Sequence, residues 1–134
     1  MGSTVVYKIS KKINSLFDII SKNIKEKKYK ININGKKFNT KDGTPERDFI
    51  HIKDLCEIHE KTYKYLDKNK NILLNCGSGV RYSVLEVIKA FEKKIKKKFH
   101  ISFKITNFDE TQTICSNTSL IKSSLKMEIK KTKI

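Results

Sequence analysis

Between Asn71 and Phe91 the chain runs from an apolar triplet, Ile72-Leu73-Leu74, through Asn75-Cys76-Gly77-Ser78-Gly79 into a helix with a well-specified start. This stretch predicts a strand, a tight turn and a helix. The triplet has the length of a buried strand, and Gly77 and Gly79 supply backbone freedom where the chain reverses. Ser83 and Glu86 form a capping box, with Tyr82 packing on Val87 as a staple. Val84, Val87, Ile88, Phe91 and Ile95 fall at helical spacing, so one stripe faces a core. A glycine turn before a helix N-terminus offers backbone amides that suit a phosphate. It is not a dinucleotide fingerprint, because Tyr82 stands where the third glycine belongs and no acidic residue closes a following strand.

The rest of the chain alternates strands and helices around this unit. Thr4 to Tyr7 reads as a short strand, and Leu16, Ile19, Ile20 and Ile24 mark an amphipathic helix capped by Ser15 and ending near Lys28. Ile31 and Ile33 alternate in a strand that stops at Gly35, and a loop with Asp42-Gly43 and Pro45 follows. Arg47 to Ile52 reads as a strand. It leads to a helix capped by Asp54 and Glu57 with Leu55, Ile58, Thr62 and Leu66 inward. Phe99, Ile101, Phe103 and Ile105 alternate as a further strand, Thr111 to Cys115 is extended, and Asn117 caps a last helix carrying Leu120, Ile121, Leu125 and Met127. The pattern predicts an α/β or α+β domain of mixed sheet.

At 134 residues the chain has room for one domain with a core. A net charge of +16 points first to nucleic acid or an anionic membrane surface. Yet all but Arg47 and Arg81 of the 30 basic residues are lysine, spread through every segment, whereas readers of nucleic acid rely on arginine forks. Nucleic acid is therefore not the expected partner. The densest cluster, Lys93 to Lys98, suits a helix C-terminus. Cys56, Cys76 and Cys115 lack metal or redox spacing, and Cys56 with His59, one helical turn apart, supplies only two ligands, so no metal is expected. The cysteines fit a reducing cytoplasm. No run is apolar for long enough to span a membrane, and no apolar signal core opens the chain.

Two blocks carry a resemblance. Asp42-Gly43-Thr44-Pro45-Glu46-Arg47-Asp48-Phe49-Ile50-His51-Ile52-Lys53-Asp54-Leu55, with His59 after it, is similar to the D-G-T-x-x-R-D-Y-I-H-V-x-D-L signature of UDP-glucose 4-epimerases. Asn75-Cys76-Gly77-Ser78-Gly79-Val80-Arg81-Tyr82-Ser83-Val84-Leu85-Glu86-Val87 resembles the same family's N-L-G-x-G-x-G-Y-S-V-L-E-V. The resemblance runs from about Asn14 and fades after Phe103. It implies a small mixed-sheet domain like the C-terminal substrate domain of these extended short-chain dehydrogenase/reductase enzymes, without their Rossmann domain. Residues 1–13 are then an N-terminal remnant or extension, and 14–134 the UDP-sugar-binding-like domain. Family members interconvert UDP-glucose and UDP-galactose by passing a hydride from sugar C4 to NAD and back, with a Tyr of Y-x-x-x-K as base. Here Tyr7 and Lys11 match that spacing, but no G-x-x-G-x-x-G follows a first strand, so the chain is expected to bind no cofactor and to have no catalytic residue of its own.

The resemblance also assigns substrate contacts. Ser15 and Leu16 fall on an Asn-Leu pair, the backbone around Asn32 and Asn34 on the strand that reads the uracil, and Arg47 on the arginine that grips the diphosphate. Phe49 stands for the Tyr beside the ribose without its hydroxyl, and Val84 for an apolar contact at the helix start. Asn107 and Glu110 fall in R-R-x-G-D, where the second phosphate-binding Arg is lost. These changes imply a weakened UDP-sugar site and, for epimerisation, a separate Rossmann-domain chain as partner. The alternative implied by the same changes is a non-catalytic protein-interaction module or gene remnant derived from the fold.

Overall fold

Helix α1 (Leu16–Lys25) begins where the Ser15 side chain accepts from the amide of Asp18 and the Asp18 carboxylate reaches back to the amide of Ser15. The computed structural model describes residues 15–68, 71–104 and 111–129. The Thr4–Tyr7 strand, the Tyr7/Lys11 pair and the segment 1–13 lie outside them, as do Asn107 and Glu110. After α1 come β1 (Lys30–Asn34), β2 (Glu46–Asp48), α2 (Ile52–Leu66), β3 (Arg81–Ser83), α3 (Val84–Ile95), β4 (His100–Lys104) and α4 (Ser119–Leu125).

Instead of one mixed sheet there are two short ones. β1 and β4 pair in parallel, from Lys30 opposite His100 to Asn34 opposite Lys104. β2 and β3 pair antiparallel, with Arg47 opposite Tyr82, and Thr113 adds a parallel bridge to Glu46. Among the described residues no large parallel sheet of the kind a Rossmann fold requires is present. No described helix is long and apolar enough to cross a membrane.

Two cores follow from the periodicities. Ile20 of α1, Ile31 and Ile33 of β1, Val87 and Ile88 of α3, and Phe99 bury one cluster. Leu16, Phe49, Tyr82, Val84, Phe91 and Ile95 pack around it, as the stripe on α3 predicts. In the second cluster Ile58 of α2 meets Ile121, Leu125 and Met127, and Ile50, Tyr65 and Leu74 pack against them. Strand β1 alternates as expected, whereas Phe103 of β4 is partly exposed and carries Lys36 Nζ 4.7 Å above its ring.

Three sequence expectations are corrected. The Arg47–Ile52 strand ends at Asp48, because Ile52 already opens α2, whose N-cap is His51 accepting from the amide of Lys53 rather than Asp54. Residues 71–76 form no strand, and Leu73 is 87% exposed. Their apolar character does not create a sheet partner, and no described strand lies beside them. Leu66 points partly to solvent, because α2 turns only its Ile58 side toward α4.

Truncating Ile88, fully buried, to Ala should cost about 2–5 kcal/mol in urea unfolding. Leu73→Ser should change stability by less than about 0.5 kcal/mol, and a larger loss would mean that Leu73 is covered in solution.

Candidate functional site

The Gly77–Gly79 turn is organised by a carboxylate. Asp48, the last residue of β2, accepts at Oδ1 from the amide and the hydroxyl of Ser78, both at 2.7 Å. At Oδ2 it accepts from the amides of Gly79 at 3.1 Å and Ser116 at 3.0 Å. One side chain thus ties β2, the glycine turn and the segment before α4. Gly77 has no room for a side chain, since a Cβ would run into Asp48 Oδ2 and the Ser116 side chain.

The start of α3 is closed in the same way. Ser83 Oγ accepts from the Glu86 amide at 3.0 Å and the Glu86 carboxylate from the Ser83 amide at 2.9 Å, the reciprocal cap the sequence predicts. The amide of Val84 donates to the Pro45 carbonyl at 3.0 Å and that of Leu85 to Thr44 Oγ1 at 3.3 Å. Asp42 accepts from the Thr44 amide and hydroxyl and from the Ser83 hydroxyl. The Asp42-Gly43-Thr44 block therefore fastens a loop onto the helix N-terminus. The phosphate reading of this turn is not supported, because the amides of Ser78, Gly79 and Val80 and those of Ser83 to Glu86 already have acceptors. For the same reason the turn does not fit the pyrophosphate of NAD.

The residues nominated as substrate contacts fall into three places. Leu16, Phe49 and Val84 meet around the first core, where Phe49 packs edge-on against Phe17 with ring centroids 5.2 Å apart. Asn32 and Asn34 lie on the exposed face of β1, and the Ser102 hydroxyl donates to Asn32 Oδ1. Ser15 sits beside Leu16, its hydroxyl donating to Asp18 Oδ2 at 2.5 Å. Arg47 occupies the face of β2 opposite Glu46 and Asp48, since successive strand residues alternate. Its Nη1 donates to the carbonyls of Glu46 at 2.8 Å and Gln112 at 3.4 Å, which orients the guanidinium. Asp48 spends its carboxylate on the glycine turn and Ser116.

Asp48, Asp42, Thr44 and Gln112 were not singled out by sequence as organising residues. The available signal was the coupling of the D-G-T and R-D pairs to the glycine turn, two blocks that only tertiary structure joins. A cavity of about 410 Å³ lies elsewhere, lined by Lys89, Glu92, Lys93, Lys96, Lys97 and Lys98, and includes none of the nominated residues. Glu92 is committed there, accepting from the Phe99 amide at 2.7 Å and from Lys98 Nζ at 3.1 Å.

Burial works to raise the Asp48 carboxyl pKa, but the bonds from Ser78, Ser116 and Gly79 outweigh it and hold the group below the usual aspartate range. Asp42 is lowered likewise, burial being opposed by the bonds from Ser83 and Thr44 and by the charge of Lys89. A carboxyl depressed in the folded state contributes stability that is complete above the unfolded pKa, near 4 for Asp, and is lost as pH falls through the folded value. Asp48→Asn should therefore lose about 2 kcal/mol in urea unfolding at pH 7, and the deficit should shrink below about pH 4. A deficit independent of pH would contradict the assignment. Gly77→Ala should destabilise by about 1–3 kcal/mol at either pH.

No protein-family model matches the chain. The UDP-glucose 4-epimerase of Drosophila melanogaster is 36% identical over 118 residues, 84% of this chain and 33% of that protein. The UDP-glucose 4-epimerase of Bacillus subtilis is 34% identical over 119 residues, 88% of this chain and 35% of that protein. The crystal structure of UDP-glucose 4-epimerase from Bifidobacterium longum in complex with NAD+ and UDP matches with a TM-score of 0.79 at 29% identity, covering 88% of this chain and 35% of that one. The chain spans about a third of the length of the curated relatives it matches. It is homologous, in sequence and in structure, to part of the UDP-glucose 4-epimerases of the extended short-chain dehydrogenase/reductase family.

Proposed function

We propose that this chain is the substrate-binding portion of a UDP-glucose 4-epimerase-like protein, holding the UDP end of a UDP-sugar and unable to epimerise the sugar alone. The observation that carries the reading is continuous similarity over 88% of the chain to only 35% of the Bacillus subtilis enzyme. In this reading Arg47, oriented by two carbonyls, grips the diphosphate with its planar fork. The backbone of β1 around Asn32 and Asn34 meets the uracil edge, and Leu16 and Val84 line the apolar side. NAD, the hydride acceptor of the family chemistry, has no seat at the glycine turn, which Asp48 fills.

A second reading, a protein-binding module that keeps the fold and has dropped the sugar nucleotide, is favoured by one observation. Phe49 is a packing residue against Phe17, with no hydroxyl to offer a ribose.

A thermal melt separates the two. At about 100 times the dissociation constant, UDP-glucose should stabilise the chain by about 2.7 kcal/mol. Arg47→Ala should abolish the shift, and inorganic phosphate at equal concentration should give none. A cooperative melt that UDP-glucose leaves in place would refute the substrate-binding reading and favour the module.

A further inference from the structure

Two runs of lysine that are far apart in sequence are brought to one end of the molecule by the parallel pairing of β1 and β4. Lys22, Lys25, Lys27, Lys28 and Lys30 lead out of α1 into β1, and Lys93, Lys94, Lys96, Lys97 and Lys98 lead out of α3 into β4. Because both strands start at the same end, with Lys30 opposite His100, the two connections lie side by side. The His100 amide donates to the Tyr29 carbonyl at 2.7 Å, and the Tyr29 and Phe99 rings meet edge-on with centroids 5.8 Å apart. All of these lysines are exposed.

The positive charge at this end exceeds what the two helices need. Cations suit the carbonyl end of a helix, but the effect falls off within the last turn, and α1 ends at Lys25 and α3 at Ile95. Lys27, Lys28, Lys30 and Lys96 to Lys98 lie beyond it. Two carboxylates stand in or beside the runs: Glu26 pairs with Lys28 at 2.7 Å and with Lys22 at 3.9 Å, and Glu92 pairs with Lys98 at 3.1 Å. Among the described residues no ion pair joins Lys27, Lys30, Lys93, Lys94, Lys96 or Lys97. Lys27 and Lys96 also take left-handed backbone, with φ of 53° and 54°, where glycine is the usual residue after a helix. Like charges are held together here without enough carboxylates to match them.

The end of α3 is also concave. Lys89, Lys93, Lys96, Lys97 and Lys98 line the cavity of about 410 Å³ together with Glu92, and the buried Glu92 carboxylate, bound to the Phe99 amide and Lys98, fixes the turn on which Lys96 to Lys98 stand. We propose that this cavity, bordered by the lysines of 25–30, binds a small soluble molecule carrying several phosphate groups. Ammonium groups meet phosphate oxygens as point charges, and several weak exposed contacts must be made together to hold a ligand against salt. A single phosphate cannot make them. A concave site suits a compact ligand, and among the described residues none of the exposed large apolar side chains lies in either run to enter a membrane or stack on bases. The inference does not rest on the UDP reading. Lys30 at this end and Asn34 at the other are separated by the length of β1, about 13 Å.

The test is calorimetric titration of the full chain with inositol hexakisphosphate at physiological salt, with UDP and inorganic phosphate at the same concentration as controls. One-to-one binding that weakens as salt is raised is expected, with amide shifts by NMR at both 25–30 and 93–98. Lys93→Gln combined with Lys97→Gln should weaken it by at least about tenfold. Lys37→Gln combined with Lys53→Gln, which removes the same charge from exposed lysines elsewhere, should change it by less than about twofold. Neither pair should lower the melting temperature of the free chain, because all four side chains are exposed. Absence of binding overturns the proposal. Equal losses with the two pairs, more than one ligand per chain, or shifts that miss either run overturn it too, since they reduce the effect to net charge. So does equal affinity for UDP or inorganic phosphate at the same lysines. Displacement of the hexakisphosphate by duplex DNA or by phosphatidylserine vesicles, at a lower concentration of phosphate groups, would give the surface to nucleic acid or to a membrane and likewise overturn it.

Discussion

The carboxylate of Asp48 is the one group on which three separate stretches of this chain converge. It accepts from Ser78 twice, from Gly79 and from Ser116, joining the end of β2 to the glycine turn and to the segment that leads into α4. A hydrogen bond to a charged acceptor is worth about 1.5–3 kcal/mol net, and such bonds strengthen one another where water is partly excluded. With Asp48 in place β2 has a fixed end, and the alternation of the strand then sends Arg47 to the opposite face, toward the carbonyls of Glu46 and Gln112. The position of the one arginine nominated for phosphate thus depends on an aspartate that turns away from it.

The same arrangement explains why a turn resembling a phosphate cradle is a structural joint. Two blocks of sequence that are far apart, Asp42 to Thr44 and Ser83 to Glu86, meet at the start of α3 and satisfy its amides between them. The helix dipole, which elsewhere attracts a ligand anion, is here complemented by Asp42 and Glu86. The proposed UDP site therefore draws on β1, Arg47 and the apolar border of the first core and not on this turn.

What was legible in the sequence was local. Ser15 with Asp18 and Ser83 with Glu86 cap helices through contacts three residues apart, so α1 and α3 start where the sequence places them. The alternation of Ile31 and Ile33 likewise marks β1. What failed was everything that depends on a partner remote in sequence. Ile72 to Leu74 has the composition of a buried strand, but a strand is made by its neighbour, and none of the described strands is beside it. Leu66 and Ile58 look equivalent on a helical wheel, yet only the side of α2 that meets α4 is buried. Of the nominated substrate contacts, Leu16, Phe49 and Val84 come together on one core, whereas Arg47 and the β1 asparagines border different sheets.

Titrating the isotope-labelled chain with UDP and following its backbone amides by NMR tests the central claim most directly, since it reports where the ligand binds as well as whether it does. Saturable shifts confined to β1 around Asn32 and Asn34, to Arg47 and its neighbour Tyr82, and to the start of α3 at Val84 are the predicted result. Shifts concentrated instead on the lysines from Lys89 to Lys98, or no saturable shift at all, would contradict it.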